Sequence, residues 1–223
     1  MADAERITRP ILFSGPMVRA LLSGQKTQTR RIVKPQPTSW DANPALLMWK
    51  GDHFWPAEPP ASPYGVPGDR LWVRETWTAA VAHAHGLDAC DCADVDVTYP
   101  ADGTTRHISE YAILDHEKAT GRDWYLPKAA QAGKNVPAMF LPRFASRLTL
   151  EVTDVRVQRL QDISNEDAIA EGCPGGPDVE GYSERVPADP YEEFAILWDS
   201  INGDRADWNS NPWVWAISFK VIR

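Results

Sequence analysis

Cysteine, long apolar runs and positive charge outside one segment are all scarce in this 223-residue chain. Its three cysteines, two of them in Cys90-Asp91-Cys92, have no disulfide-framework spacing, so a reducing compartment is expected. No stretch approaches the ~18 consecutive apolar residues that a membrane span needs. The opening MADAERITRP lacks an apolar signal-peptide centre. These absences predict a cytoplasmic location and no membrane partner. Basic residues number 23 against 31 acids, a formal charge of −8, which excludes a uniformly basic nucleic-acid surface.

What is present is uneven. Seven basic residues (Arg6, Arg9, Arg19, Lys26, Arg30, Arg31, Lys34) and no acid lie between Arg6 and Trp40, which leaves 16 cations against 31 acids elsewhere. Such a separation suggests one positive site on an otherwise acidic surface, or a basic strand face paired with acids brought from other parts of the fold. At 43% hydrophobic and 24% charged, the chain can bury a core without staples.

Residues 14–24 read as a short amphipathic helix ended by Gly24, and Gln25–Val33 favours a strand. Residues 35–67 hold eight prolines with Trp40, Trp49 and Trp55 among them. Proline gives no amide hydrogen to a central strand, so this segment is expected to wrap a surface as an insertion. Pro67-Gly68-Asp69 is a turn signal before an alternating strand, Arg70–Trp77. Residues 79–136 are polar and turn-rich, with only fragments such as Asp94–Tyr99 able to pair, and form a second insertion. Strand character returns over Met139–Leu160, whose apolar phase shifts near Thr153-Asp154 as at a bulge. Ser164–Glu171 carries the signature of a capped helix stopped by Gly172, Tyr191–Ile201 fits another helix, and Trp213–Ile222 alternates as a strand. The remaining core, 11–34, 68–77, 137–173 and 191–223, predicts one α+β domain: a small mixed β-barrel with short flanking helices and two long insertions.

The densest polar constellation is Gly24-Gln25-Lys26-Thr27-Gln28-Thr29-Arg30-Arg31, which offers an ammonium, two hydroxyls and two guanidinium groups at a chain reversal. It can grip an anion or place a nucleophile beside a base, and it can equally be an exposed basic edge strand. Because side chains alternate along a strand, Lys26 and Thr29 can cooperate only if Lys26 lies in the turn ahead of it. Glu171, at the end of its helix, meets the negative end of the helix dipole, a position suited to a proton-transfer group. His83, His85, Cys90 and Cys92 are zinc-type donors, but their spacing is poor for a tetrahedral site, and neither a metal nor another cofactor is expected. Trp72, Trp77, Trp40 and Trp55 are candidates for a pocket wall, whereas Trp213 and Trp215 read as core.

The run Phe13–Arg31 with its Gly-x-Lys-Thr-x-Thr-x-Arg pattern, followed by Pro67-Gly-Asp-Arg-Leu-Trp-Val-Arg-Glu-Thr-Trp77 and the strand and helix through Glu171, resembles an ASCH domain of the PUA-like superfamily. More narrowly, it is similar to the Trp-rich type often encoded by phages and prophages. The resemblance implies a β-barrel with a cleft for RNA or a nucleobase. Small bacterial members are amidohydrolases of N4-acetylcytidine that use a lysine, a threonine and a glutamate, which here match Lys26, Thr29 and Glu171; other members are RNA binders or ribonucleases. The implied scheme has Thr29 attack the acyl carbon, Lys26 accept its proton with a pKa lowered by Arg30 and Arg31, and Glu171 shuttle protons. Arg30, Arg31, Thr27, Trp72, Glu75 and Trp77 are the implied substrate contacts. The expected partner is a modified nucleoside or RNA, with single-stranded nucleic acid as an extension. The rival reading is a non-catalytic reader of RNA or modified nucleic acid.

Overall fold

The structure, a computed structural model, describes residues 7–36, 61–82, 94–176 and 189–222, and the backbone of two short strands at 38–39 and 47–48. In chain order the elements are β1 (Thr8–Leu12), α1 (Gly15–Leu22), β2 (Gln28–Ile32), β3 (Thr38–Ser39), β4 (Leu47–Met48), β5 (Arg70–Arg74), β6 (Thr78–Val81), β7 (Val95–Tyr99) and β8 (Thr104–Ile108). They continue with α2 (Glu110–Thr120), α3 (Lys128–Gln131), β9 (Thr149–Arg159), α4 (Asn165–Ala170), α5 (Pro190–Asn202) and β10 (Trp213–Ile222). The mixture of helices and largely antiparallel strands makes the fold α+β.

The chain divides into two compact units. The first takes Met1–Ile7, Ser23–Arg70 and Glu151–Val221; the second takes Thr8–Leu22, Leu71–Leu150 and Ile222–Arg223. The strand order within the first unit is β9-β10-β2, with β2 at the edge. β10 and β2 run antiparallel, and Ala216 opposes Arg30, Trp215 opposes Arg31 and Ile217 opposes Thr29. Since alternate residues point to opposite faces, Gln28, Arg30 and Ile32 share one face of β2, and Thr29 and Arg31 share the other. The first face packs under α4 and α5 through a core of Leu160, Ile163, Ala168, Cys173, Phe194, Trp198 and Val214, with Ile32 against it. β10 is buried on both faces from Trp213 to Ile217, as befits a strand with neighbours on either side.

In the second unit, β6, β7 and β8 form an antiparallel meander. Val95, Val97 and Tyr99 alternate inward from β7 onto Trp77, Ile108, Ile113, Val136 and Leu141. The stretch expected as a loose insertion, 79–136, thus contributes strands and helices to a unit with its own core; its apolar residues are sparse in sequence but fall in phase once three short strands pair.

Two expectations are corrected. Among the described residues no sheet closes on itself, so the barrel is not a closed one. The strand expected from Met139 begins only at Thr149, because Pro137 and Pro142 head short 3-10 turns that take up the preceding residues. β9 then runs unbroken through Thr153 and Asp154, and only its burial changes phase there. Among the described residues no helix is long and apolar enough to cross a membrane.

Candidate active site

The polar residues predicted around the first turn assemble within the first unit, and backbone bonds fix their place. Gly24 adopts φ +77°, a left-handed conformation that glycine takes without steric cost, and turns the chain after the helix. The Thr27 amide then donates to the carbonyl of Ala170 at 2.8 Å, and the Thr27 carbonyl accepts from the Phe219 amide at 2.9 Å. The loop carrying Lys26 is therefore fastened both to the end of α4 and to β10. Lys26 precedes β2 and Thr29 lies inside it, which is the arrangement their cooperation requires.

α4 is fixed at its other end by Ser164, whose hydroxyl accepts from the Asp167 amide. Glu171 is its C-cap residue, and Gly172, at φ +94°, stops it. A carboxylate at that end of a helix is unfavourable unless cations offset it. Two do. Lys26 Nζ donates to Glu171 Oε2 at 2.6 Å and to the Glu171 carbonyl at 2.7 Å, and Arg30 Nη1 donates to Glu171 Oε1 at 3.2 Å. The Lys26 ammonium thus also satisfies a carbonyl left open by the helix end. Lys26 is fully buried and Glu171 is 4% exposed.

Arg30 extends the network. Its Nη2 donates to Asp167 Oδ2 at 2.7 Å and its Nη1 to Gln28 Oε1, while its guanidinium lies 5.6 Å from the centre of the Phe194 ring. Gln28 in turn donates to Asp167 and to the Ser218 hydroxyl, and Arg156 reaches Asp167 from outside. Two acids and two buried cations therefore neutralise one another where an isolated charge would be costly.

The electrostatics follow from burial. Desolvation lowers the Lys26 pKa from its ordinary 10.5, partly opposed by Glu171 and reinforced by Arg31. The direction matches the sequence expectation, but the main cause is burial and not neighbouring guanidinium groups. Burial pushes the Asp167 carboxyl up, yet the hydrogen bond from Gln28 and the charges of Arg30 and Arg156 outweigh it and hold the group below its ordinary range. Arg31 is also lowered by burial, against the influence of Tyr64 and Glu171, and burial raises the Tyr64 phenol against the pull of Arg31.

Beside this network lies a cleft of about 490 Å³, lined by Arg30, Arg31, Lys34, Tyr64, Arg205 and Trp215 together with smaller neighbours. β2 is an edge strand, so the cleft draws on residues from both of its faces.

The other predicted residues stand as follows. Thr29 is buried on β2, on the face shared with Arg31, whose charge acts on Lys26; the hydrogen bonds described for Lys26 run to Glu171, and none is described to Thr29. Thr27 works through its backbone, and its exposed side chain is not part of the polar network. Trp72, Glu75 and Trp77 belong to the second unit. Trp77 is 0% exposed in that unit's core and offers no face to a ligand, which corrects its expected role as a pocket wall. Glu75 is buried and held by Arg147 through two bonds of 2.8 Å, and Trp72 is buried beneath the Arg74 guanidinium. Packing and ion pairing thus occupy Trp72, Glu75 and Trp77, three of the six residues expected to meet substrate. Trp40, Trp55, His83, His85, Cys90 and Cys92 lie outside the described residues.

Asp167, Tyr64 and Arg205 were not anticipated, and Gln28 only as a member of the polar run Gly24–Arg31, with no role of its own. Asp167 carried a usable signal, since it lies four residues before Glu171 and so on the same side of one helix. Tyr64 and Arg205 carried none, because only tertiary folding brings them to β2. The chain matches no family model, no curated protein and no solved structure in the comparisons made.

Proposed function

We propose that the protein is an ASCH-type, PUA-like nucleobase-binding hydrolase that removes an acyl group from the exocyclic amine of a cytidine-like base. The observation that carries this reading is the pairing of Lys26 with Glu171. These groups are separated by 145 residues, and they meet at 2.6 Å in a buried site next to a nucleotide-sized cleft. A lysine whose ammonium is disfavoured by burial can supply a neutral amine as a base nearer to neutral pH than a solvated lysine can.

In the proposed reaction the Thr29 hydroxyl oxygen attacks the acyl carbon as the neutral amine of Lys26 takes its proton. The C–N bond then breaks, and the exocyclic amine leaves with a proton relayed through Glu171. Water attacks the resulting ester, giving up its proton to the same pair, and the acid departs. Arg31, on the same face of β2 as Thr29, steadies the developing oxyanion or the pyrimidine carbonyl. No metal or organic cofactor enters the scheme.

The buried pairing of Lys26 with Glu171, which Arg30 also engages, favours a second reading, in which the pair only fastens the turn to α4 and the cleft binds RNA without chemistry. Incubation of the purified protein with N4-acetylcytidine, followed by chromatography of the nucleosides, separates the two. The hydrolase reading predicts release of cytidine and acetate, with Thr29→Ala lowering turnover by about 10²-fold or more while the fold persists. Absence of turnover by the wild-type protein, with retained RNA binding in the Thr29→Ala variant, supports the second reading.

A further inference from the structure

The cleft lined by Arg30 is basic, in contrast to the net charge of the chain. Arg30, Arg31, Lys34 and Arg205 all line it and, among the described residues, no acidic side chain does, although the whole chain carries a net −8. Lys34 and Arg205 are exposed, and no ion pair is described for either among the described residues. They come from opposite ends of the chain: Lys34 follows the edge strand β2, and Arg205 follows the end of α5. Buried Arg30 spends its terminal nitrogens on Asp167, Gln28 and Glu171, and its Nε–H has no partner among the described residues. Tyr64 supplies an aromatic wall, and the raised pKa of its phenol keeps the hydroxyl neutral and able to donate.

We infer that this cleft binds the phosphate of a nucleotide, with Arg31, Lys34 and Arg205 as its cationic wall. The acylated base is then presented to Lys26 and Glu171 as part of a phosphorylated nucleotide and not as a free nucleoside. The assignment of substrate rests on the functional reading above; the binding of phosphate rests on the cleft. Guanidinium groups match phosphate oxygens bidentately, and the exposed side chains of Lys34 and Arg205, converging on one concavity beside Arg31, suit an anionic ligand. A volume of about 490 Å³ falls within the range of small-molecule pockets and is large for an inorganic anion alone.

The test is calorimetric titration of the full-length protein with cytidine 5′-monophosphate, cytidine, inorganic phosphate and a short cytidine-containing oligoribonucleotide. The comparison protein is the double variant Lys34→Ala/Arg205→Ala, which alters only exposed side chains and leaves the fold intact, as a melting curve verifies. The inference predicts that the monophosphate binds about tenfold or more tightly than cytidine or inorganic phosphate. It also predicts that the double variant loses this advantage and that added salt weakens it. Tighter binding of the oligoribonucleotide supports the inference with an RNA chain as the source of the phosphate, and equal binding supports it with a mononucleotide. Equal affinity for cytidine and its monophosphate, no binding of the monophosphate, inorganic phosphate as strong as the monophosphate, or an unaffected double variant overturns it. The two proposals fail separately. Monophosphate binding without hydrolysis of N4-acetylcytidine removes the hydrolase alone, whereas hydrolysis with no gain from a 5′-phosphate removes the phosphate site alone.

Discussion

At the scale of single residues, the account depends on charges that burial would penalise if they stood apart. Lys26 is fully buried and its ammonium has both oxygens of the Glu171 contact, one carboxylate and one carbonyl. Removing one partner strands the other, so Glu171→Leu is expected to cost about 3–5 kcal/mol in urea unfolding. Lys26→Met added to that change should recover much of it; a loss below about 1 kcal/mol for the single variant would contradict the pairing. Because the fold disfavours the Lys26 ammonium, this group subtracts stability below its depressed folded pKa, and the deficit disappears as pH rises from there through 10.5. Cys173 has the opposite sign. Burial raises its thiol from 9.0 to about 12, so its contribution is complete below pH 9.0 and is lost as pH climbs toward about 12. In a Cys90→Ser/Cys92→Ser background, the Cys173 thiol should resist a thiol reagent at about pH 8 in the native protein and react fully in denaturant. Rapid native reaction would show that the thiol is not held within the α4–α5 core.

At the scale of elements, local signals were legible wherever they are self-sufficient. The helix stop at Glu171-Gly172 and the cap at Ser164 were readable because capping chemistry involves neighbours in sequence. Ser164→Ala should therefore lower stability by about 1 kcal/mol, measured as a shift in urea midpoint. No measurable shift would mean that α4 is held by packing alone. The placement of Lys26 in a turn ahead of β2 was also legible, from Gly24 and the later β-favouring residues. The start of β9 was not, because Pro137 and Pro142 give way to 3-10 turns over residues whose hydrophobicity suits a strand equally well. The fate of Trp77 was also hidden. Alternation in Arg70–Trp77 says that a residue has an inner face, and only pairing with Val136 and packing around it show that this tryptophan is enclosed.

At the scale of the whole molecule, the uneven charge in the sequence has two outcomes. Arg30 and Lys26 from the basic segment are consumed by Asp167 and Glu171, as the structural alternative anticipated, while Arg31 and Lys34 line the cleft. The sequence could show the island but could not divide it, since the acids that quench Lys26 and Arg30 lie more than a hundred residues away. The division predicts weak, salt-sensitive binding of anionic ligands despite the net −8. Affinity for single-stranded RNA should fall several-fold or more between about 50 and about 200 mM salt, and a salt-independent affinity would point to apolar binding instead.

The most direct measurement of the central claim is the pH dependence of N4-acetylcytidine hydrolysis by the wild-type protein and by Glu171→Gln. If Lys26 and Glu171 perform the proton transfers, the wild-type rate rises with pH as Lys26 loses its proton below the ordinary lysine range, and the variant loses both rate and that limb of the profile. A variant that hydrolyses the nucleoside at the wild-type rate with the same profile would show the pair to be structural only.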